Sequence, residues 1–346
     1  MSKQRQGPFE FAGETVEAGT VKQVDLQIAR LPVGVPLSIP VVVIRGRYEG
    51  PRLFVSAAIH GDEINGVEIC RTLLQTDPAK LRGTLMIIPV VNVFGFVDKS
   101  RYLPDRRDLN RSFPGSAKGS LASRMAHIFV QEVISNSDYG IDLHTGSNHR
   151  TNVPQIRANL EDEETRMLAE AFGAPVFMHS KLRPGSLRAA AGKRGVKCLL
   201  YEAGEPLRYN GEAIRVGKRG VLRVMTALGM RPRKLARLRH SSIEIGAHSW
   251  FRAPASGMLR LTVKAGERVS ARQQLGVICD PLGNNEVRIR SKKDGMIIGY
   301  TLNPNVNQGD GIFHIGEPVD AVTKTPVQPE VDTEVDPKSA TTDSAE

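Results

Sequence analysis

Cysteine, aromatic residues and long hydrophobic runs are all scarce in this sequence. Its three cysteines, Cys70, Cys198 and Cys279, are odd in number and widely separated, which argues against a disulfide framework and favours a reducing compartment. Apolar runs such as L-M-I-I-P-V-V are far shorter than the roughly 20 residues of a membrane-spanning helix, and the first residues contain no apolar signal segment. We therefore expect a soluble, cytoplasmic protein with no membrane partner.

The sequence is basic, with a formal charge of +10. Nucleic-acid binding is one interpretation, but the basic residues are dispersed and aromatic residues make up 5% of the chain, so no basic stripe carries a base-stacking platform. We expect no nucleic-acid partner. Two interpretations remain open: a positive field that attracts small anionic substrates, and a net charge that serves solubility.

The 346 residues divide into three regions by composition. Residues 1–240 alternate β-branched runs with helical patterns, which predicts an α/β domain with a mixed, mostly parallel sheet flanked by helices. Residues 241–317 contain short alternating strands and many glycines, typical of a small all-β barrel or sandwich. A basic stretch at 231–240 joins the two regions, and residues 318–346, rich in Pro, Thr and acidic residues, are predicted to be a disordered tail.

Four helices are predicted within the α/β region. The first follows H-G-D-E, where Ile64, Val67, Ile69 and Leu73 fit one broad helical face and Asp62 is placed to cap the helix. The remaining three are predicted over residues 120–136, 161–172 and 210–228.

The segment H-G-D-E at 60–63 follows a strand that reads as buried. The carboxyl ends of strands in open α/β sheets face the ligand crevice, and imidazole and carboxylate are both good Zn²⁺ ligands. Gly61 allows a tight turn that directs His60 and Glu63 into one crevice. Taken alone, H-x-x-E is common by chance, and an acidic turn before a helix is the simpler interpretation.

The segment D-L-H-T-G at 142–146 is a second apolar strand that ends in histidine. His144 is a candidate third ligand, which would complete a His₂Glu set with one position open for water. Asp142 shares a strand face with His144, so it is either a carboxylate that orients the imidazole or an ordinary charged strand residue.

Two further segments carry groups suited to catalysis. In R-Y-L-P-D-R-R-D-L-N-R-S-F-P-G at 101–115, Asn110 and Arg111 are suited to grip a carboxylate and another arginine to face an oxyanion; a surface ion-pair network is the alternative. In L-L-Y-E-A-G, Glu202 follows an apolar strand and is suited to act as general base beside a metal-bound water. A capping or charge-pairing glutamate is the alternative there.

These segments occur in the order H-x-x-E, D-L-N-R, D-L-H-T and Y-E-x-G, and on them the sequence resembles the succinylglutamate desuccinylase/aspartoacylase family, relatives of the zinc carboxypeptidases. The resemblance covers roughly residues 45–230 and continues into the β-rich region. It implies a zinc carboxypeptidase-like fold and one Zn²⁺ per subunit, with the metal ligands His60, Glu63 and His144. It implies further roles: Asn110 and Arg111 bind the substrate α-carboxylate, Glu202 is the catalytic base and acid, and Arg101 polarises the scissile carbonyl, with Arg106 and Arg107 as rival candidates.

The region from about residue 243 to 316 resembles the biotinyl/lipoyl-type sandwich found behind some family members. The stretch C-D-P-L-G-N-N-E-V, where a carrier domain presents a modifiable lysine, contains none. The resemblance therefore implies a role in covering the active site or assembling subunits, so a homo-oligomer is possible.

The expected function is a zinc-dependent hydrolase that cleaves the amide bond of a small anionic N-acyl amino acid. Two alternatives stay open from the sequence: a metallocarboxypeptidase that acts on short peptides, and a non-catalytic assembly or binding protein.

Overall fold

The computed structural model describes residues 4–30, 33–232 and 241–319. Most of the basic stretch predicted to join the two regions, at 233–240, lies outside the described residues. So does nearly all of the predicted disordered tail, from residue 320 onward.

The described residues form eighteen strands and six α-helices, with short 3₁₀ turns at Leu109–Arg111 and Ile134–Asn136. The helices are α1 Asn65–Leu73, α2 Val93–Val97, α3 Leu121–Glu132, α4 Glu163–Phe172, α5 Leu187–Gly192 and α6 Gly211–Ala227. The first ten strands are β1 Phe9–Phe11, β2 Glu14–Val16, β3 Thr20–Arg30, β4 Pro36–Arg45, β5 Tyr48–Ala57, β6 Arg82–Ile88, β7 Tyr139–His144, β8 Arg150–Ala158, β9 Val176–His179 and β10 Lys197–Gly204. The last eight are β11 Ile243–Arg252, β12 Gly257–Leu261, β13 Arg268–Val269, β14 Gln274–Cys279, β15 Val287–Arg290, β16 Gly295–Thr301, β17 Asn305–Val306 and β18 Gly311–Pro318.

Twelve of these strands form one sheet in the order β13-β16-β18-β11-β9-β8-β10-β7-β5-β6-β4-β3. Its centre, β6-β5-β7-β10, is parallel. On either side of this centre, β4 and β8 pair antiparallel with their inner neighbours. The prediction of a mixed sheet is confirmed, but the sheet is not mostly parallel, because β3 and β4 pair antiparallel and the C-terminal strands add further antiparallel pairs.

Helices cover both faces of this sheet, as predicted. On one face, Phe129 of α3 and Leu187 of α5 are fully buried in one hydrophobic cluster. On the other, Ile69 of α1, Phe172 of α4 and Val221 of α6 share a second cluster. Burial on both faces explains the nearly continuous apolar character of the central strands.

The four predicted helices are present as α1, α3, α4 and α6. Polar side chains cap the last three by accepting a backbone N–H in the first turn; these are Ser120, Asp162 and Asn210. The predicted cap at Asp62 is wrong, because residues 60–63 form a separate turn and α1 begins later, with Ile64 at its N-terminus and no side-chain cap. No helix in the described part of the chain is long and apolar enough to cross a membrane.

The C-terminal strands are joined to the same sheet. β11 pairs with β9 and β16 pairs with β8, so that β8, β9, β11, β18 and β16 close into a five-stranded ring. A second sheet, β15-β14-β12-β17, packs on this ring through a separate hydrophobic core that includes Leu275 and Phe313. The predicted boundary at residue 240 therefore falls between strands of one continuous sheet, and a division into separate domains stays a prediction.

Candidate active site

Three side chains that could hold a metal ion converge at the carboxyl ends of β5 and β7. One ligand atom from each of His60, Glu63 and His144 lies within 4.8 Å of the others, and all three residues are buried. The two carboxylate oxygens of Glu63 each lie 2.8 Å from an Nδ1 atom, Oε1 from that of His60 and Oε2 from that of His144. These are the three side chains that the sequence predicted as ligands.

The backbone after β5 explains how two ligands fit in one turn. Ala58 adopts a left-handed conformation, with φ of 48°, which ends the strand and turns the chain toward the cavity. Gly61 packs directly on the next loop, since a Cβ there would lie 1.8 Å from the carbonyl carbon of Gly95. Gly61 is thus required for a close backbone approach.

Each histidine has a second carboxylate behind it. Nε2 of His144 lies 2.9 Å from Oδ2 of Asp142, and Nε2 of His60 lies 3.2 Å from Oδ1 of Asp108. The Ser56 hydroxyl donates to the other oxygen of Asp142 at 2.8 Å. A carboxylate that accepts from Nε2–H leaves the Nδ1 lone pair facing the cluster, which is the arrangement of metal-binding histidines.

The charges of this cluster are strongly coupled. Burial alone would raise the pKa of Glu63, but His60 and His144 outweigh it and hold the pKa well below its usual range. Burial alone would lower the pKa of His144, but Asp142 and Glu63 outweigh it and raise the pKa. The donor set therefore favours a bound cation, whether a proton or a metal ion, and fits a divalent metal.

Arg101 lies against the ligand cluster, and its two rivals do not. Its guanidinium Nη1 donates to Oε1 of Glu63 at 3.2 Å, and Nη2 donates to Oδ2 of Asp108 at 2.9 Å. Arg106 and Arg107 are exposed and do not line the cavity. Of the three arginines between which the sequence could not choose, the structure places Arg101 beside the cluster.

Glu202 lies across from the ligands on the neighbouring strand. In the parallel pair of β10 and β7, Glu202 is the direct partner of His144. Oε2 of Glu202 accepts a hydrogen bond from Nδ2 of Asn152, on β8, at 2.8 Å. The carboxylate therefore borders the same cavity as the cluster.

Asn110 and Arg111 form another part of the cavity lining. The amide oxygen of Asn110 accepts from the backbone N–H of Leu187 at 2.8 Å, which leaves its NH₂ group to face the cavity. The Arg111 guanidinium donates to the Asn110 carbonyl oxygen. The two side chains form an N–H-rich surface suited to a carboxylate.

The cavity has a volume of about 350 Å³, within the usual range for small-molecule sites. Its lining includes three carboxylates, Glu63, Asp142 and Glu202, and an excess of cations: Arg101, Arg111, Arg150, Arg157, Lys181, Arg183 and Arg188.

Sequence reasoning did not find Arg188. The side chain is 7% exposed and its Nη2 donates to Oγ of Ser180 at 2.9 Å. Its Nη1 and the Nε of Arg157 are buried without a hydrogen-bond partner among the described residues. In the sequence, Arg188 follows no strand and belongs to no charged run, so no pattern marks it. The packing of α5 brings it to the cavity.

Comparison with known proteins identifies relatives of this chain. Residues 49–228 match the succinylglutamate desuccinylase/aspartoacylase catalytic domain. The chain is 28% identical over 302 residues to N-alpha-acetyl-L-2,4-diaminobutyric acid deacetylase from Halomonas elongata, covering 82% of this chain and 87% of that protein.

Solved structures share the fold. A succinylglutamate desuccinylase/aspartoacylase from Rhodobacter sphaeroides has a TM-score of 0.77 and 24% identity, covering 86% of this chain and 95% of its own. The product-bound ectoine utilization protein EutE (DoeB) from Ruegeria pomeroyi has a TM-score of 0.79 and 22% identity, covering 92% and 100%. Since the catalytic-domain match spans more than half of the chain, the protein belongs to the succinylglutamate desuccinylase/aspartoacylase family of amide-bond hydrolases.

Proposed function

We propose that this protein is a zinc-dependent hydrolase that cleaves the amide bond of a small anionic N-acyl amino acid. The observation that carries the proposal is the convergence of His60, Glu63 and His144 directly across from Glu202. A His₂Glu ligand set with a carboxylate beside it is the arrangement of zinc hydrolases that activate water.

The residues divide the chemistry among them. When bound, Zn²⁺ would act as a Lewis acid toward the acyl carbonyl and make a water molecule more acidic. Glu202 accepts the proton of the attacking water and later donates it to the leaving amine. Arg101 stabilises the negative charge that develops on the acyl oxygen, and Asn110 with Arg111 holds the α-carboxylate.

The cavity supports an anionic substrate. Arg157 and Arg188 both line the cavity, and neither has a carboxylate within ion-pair distance among the described residues. Their uncompensated positive charges favour an anionic ligand. The relative from Halomonas elongata is named for a substrate with a side-chain amine, which would be cationic. We propose that this chain differs from that relative and prefers a second carboxylate over an ammonium group.

The C-terminal strands support a small substrate. We propose that they keep a biotinyl/lipoyl-type sandwich as a cover for the active site, without a carrier role. The hairpin tip between β14 and β15 spans residues 280–286, the lysine-free stretch identified in the sequence. A cavity of about 350 Å³ leaves little room for a peptide. The cavity size therefore favours an N-acyl amino acid hydrolase over a metallocarboxypeptidase.

A hydrolysis panel tests the proposal. Zinc-loaded protein would be offered N-acetyl-L-aspartate, N-acetyl-L-glutamate, N-succinyl-L-glutamate, N-alpha-acetyl-L-2,4-diaminobutyrate and short peptides. We expect release of amine from the dicarboxylic substrates, no activity in His60→Ala, and normal activity in His127→Ala, a control histidine on α3. Stoichiometric zinc with no hydrolysis of any acyl amino acid would contradict the proposal.

A further inference from the structure

A column of stacked side chains links the C-terminal strands to the cavity. Trp250 on β11 stacks on its cross-strand partner His314 of β18, with ring centroids 5.0 Å apart and planes 10° apart. The guanidinium carbon of Arg150, at the start of β8, lies 4.7 Å from the Trp250 ring centroid. Nε2 of His314 in turn lies 3.0 Å from Nδ1 of His248. Arg150 and Trp250 both line the active-site cavity.

Arg150 is fixed by this column and not by an ion pair. Among the described residues its guanidinium has the Trp250 ring as partner and no carboxylate within ion-pair distance. Its backbone is held at the closed ring, where Arg150 pairs with Thr301 of β16. A cation over an indole keeps its full positive charge, so the N–H groups of Arg150 stay available to an anion.

The rest of the column keeps the indole in place. His314 is 2% exposed, and burial, together with the nearby Arg157, lowers its pKa to about 3. The imidazole is therefore neutral near neutral pH and adds no charge that would repel Arg150. Trp250 thus has a buried, neutral platform beneath it.

We infer that Trp250 is a positioning residue, which holds Arg150 at the cavity wall. Arg150 thereby joins Arg157 and Arg188 in binding the second carboxylate of the substrate, while Asn110 and Arg111 hold the α-carboxylate. This inference rests on the proposed function, because it names a residue pair that selects the anionic substrate of the same site. Through Trp250, the C-terminal strands would take part in substrate binding, although they contribute none of the candidate metal ligands.

A double-mutant cycle tests the inference. In zinc-loaded protein, Arg150→Met should raise KM for the best dicarboxylic substrate about tenfold, the loss of one charge-assisted contact, while kcat stays within about twofold. Trp250→Leu should raise KM to a similar extent, and the double variant should be no worse than Arg150→Met alone. Trp250→Phe keeps an aromatic face for the guanidinium and should stay close to wild type.

Two controls separate positioning from a structural role. Arg252→Met changes an exposed arginine on the same strand as Trp250 that does not line the cavity, and it should leave KM unchanged. Additive effects of the two cavity substitutions, or a Trp250→Leu defect in kcat with normal KM, would overturn the inference.

A binding measurement does not need turnover. Trp250 is the single tryptophan of the chain, so its fluorescence reports directly on the column. Succinate should change this fluorescence in the zinc-loaded wild type, and Arg150→Met should weaken succinate binding about tenfold with the reporter intact. Unchanged succinate affinity in Arg150→Met would overturn the inference. Succinate binding that depends on Arg150, in a protein that hydrolyses no N-acyl amino acid, would count against the proposed function alone.

Discussion

Each histidine of the candidate metal cluster uses both ring nitrogens. Nδ1 faces Glu63, and Nε2 faces a carboxylate, Asp108 behind His60 and Asp142 behind His144. The second carboxylate fixes the tautomer and the ring orientation, so the lone pairs are aimed before a metal arrives. The metal affinity should therefore depend on these two outer carboxylates as well as on the three ligands.

Replacing Asp142 should weaken zinc binding while leaving all three ligands in place. Asp142→Asn removes the charge behind His144 but keeps the shape of the side chain. We expect zinc affinity to fall about 10- to 100-fold, measured by competition with a chromophoric chelator. Asp138→Asn is the control, because Asp138 lies just before the same strand, is partly exposed and pairs with Arg52; it should leave the affinity unchanged. Equal affinity in Asp142→Asn and wild type would contradict the role of Asp142.

Replacing Glu202 should separate catalysis from metal binding. Glu202→Gln keeps the size of the side chain and its ability to form hydrogen bonds, but the amide cannot accept a proton from water. We expect kcat to fall about 10²- to 10⁴-fold with zinc still bound at one equivalent. Glu205→Gln serves as control, since its carboxylate accepts from Thr151 and does not line the cavity. A Glu202→Gln enzyme with normal kcat would show that another group is the base.

The sequence pattern predicts the residues that follow strands better than those that reach the site from elsewhere. His144 is the last residue of β7, and Glu202 lies within β10, two residues before its end and not after it as the sequence suggested. Strand recognition alone therefore places both near one sheet edge. Ser56 and Arg188 carry no such signal. Ser56 meets Asp142 through the register of β5 and β7, and register is not readable from a single strand.

At the scale of elements, the sequence of β8 does not have the pattern of an inner strand. Its sequence R-T-N-V-P-Q-I-R-A contains a proline, which argues against an inner strand. It also places polar side chains on the cavity face, including Asn152 and Arg157, and these break the apolar pattern that identifies a buried strand. The polar side chains that β8 contributes to the cavity therefore make this strand difficult to recognise in the sequence.

The ring formed by β8, β9, β11, β18 and β16 should be sensitive to acid through His314. The folded pKa of His314 is lowered to about 3, whereas an unfolded histidine titrates near 6.5. The unfolded state therefore binds a proton first as the pH falls, so the stability linked to His314 is complete above about pH 6.5 and is lost progressively below it.

His314→Gln removes this titration. Urea unfolding between about pH 6.5 and 4 should show a shallower fall of the free energy of unfolding in His314→Gln than in wild type. The same pH slope in both proteins would contradict the buried, neutral state of His314.

At the scale of the whole molecule, the net positive charge of the chain and the closure of the C-terminal strands onto the sheet both contribute to the active-site cavity. The chain carries a formal charge of +10, and the sequence alone left two interpretations of that excess. The structure places part of it in the cavity, in the arginines and the lysine that line it. The same cavity is lined by Trp250 from the C-terminal strands, a contribution that composition could not reveal, because it depends on closure of the ring between distant segments.

The central claim is that hydrolysis depends on one metal ion held by His60, Glu63 and His144. The most direct measurement strips the protein with a chelator and adds Zn²⁺ in steps, while hydrolysis of the best N-acyl dicarboxylic amino acid is followed. Activity should be absent at the start, rise linearly and break at one equivalent of Zn²⁺ per chain, and His144→Ala should show no rise. Full activity in the stripped protein, or a rise that persists in His144→Ala, would contradict the account.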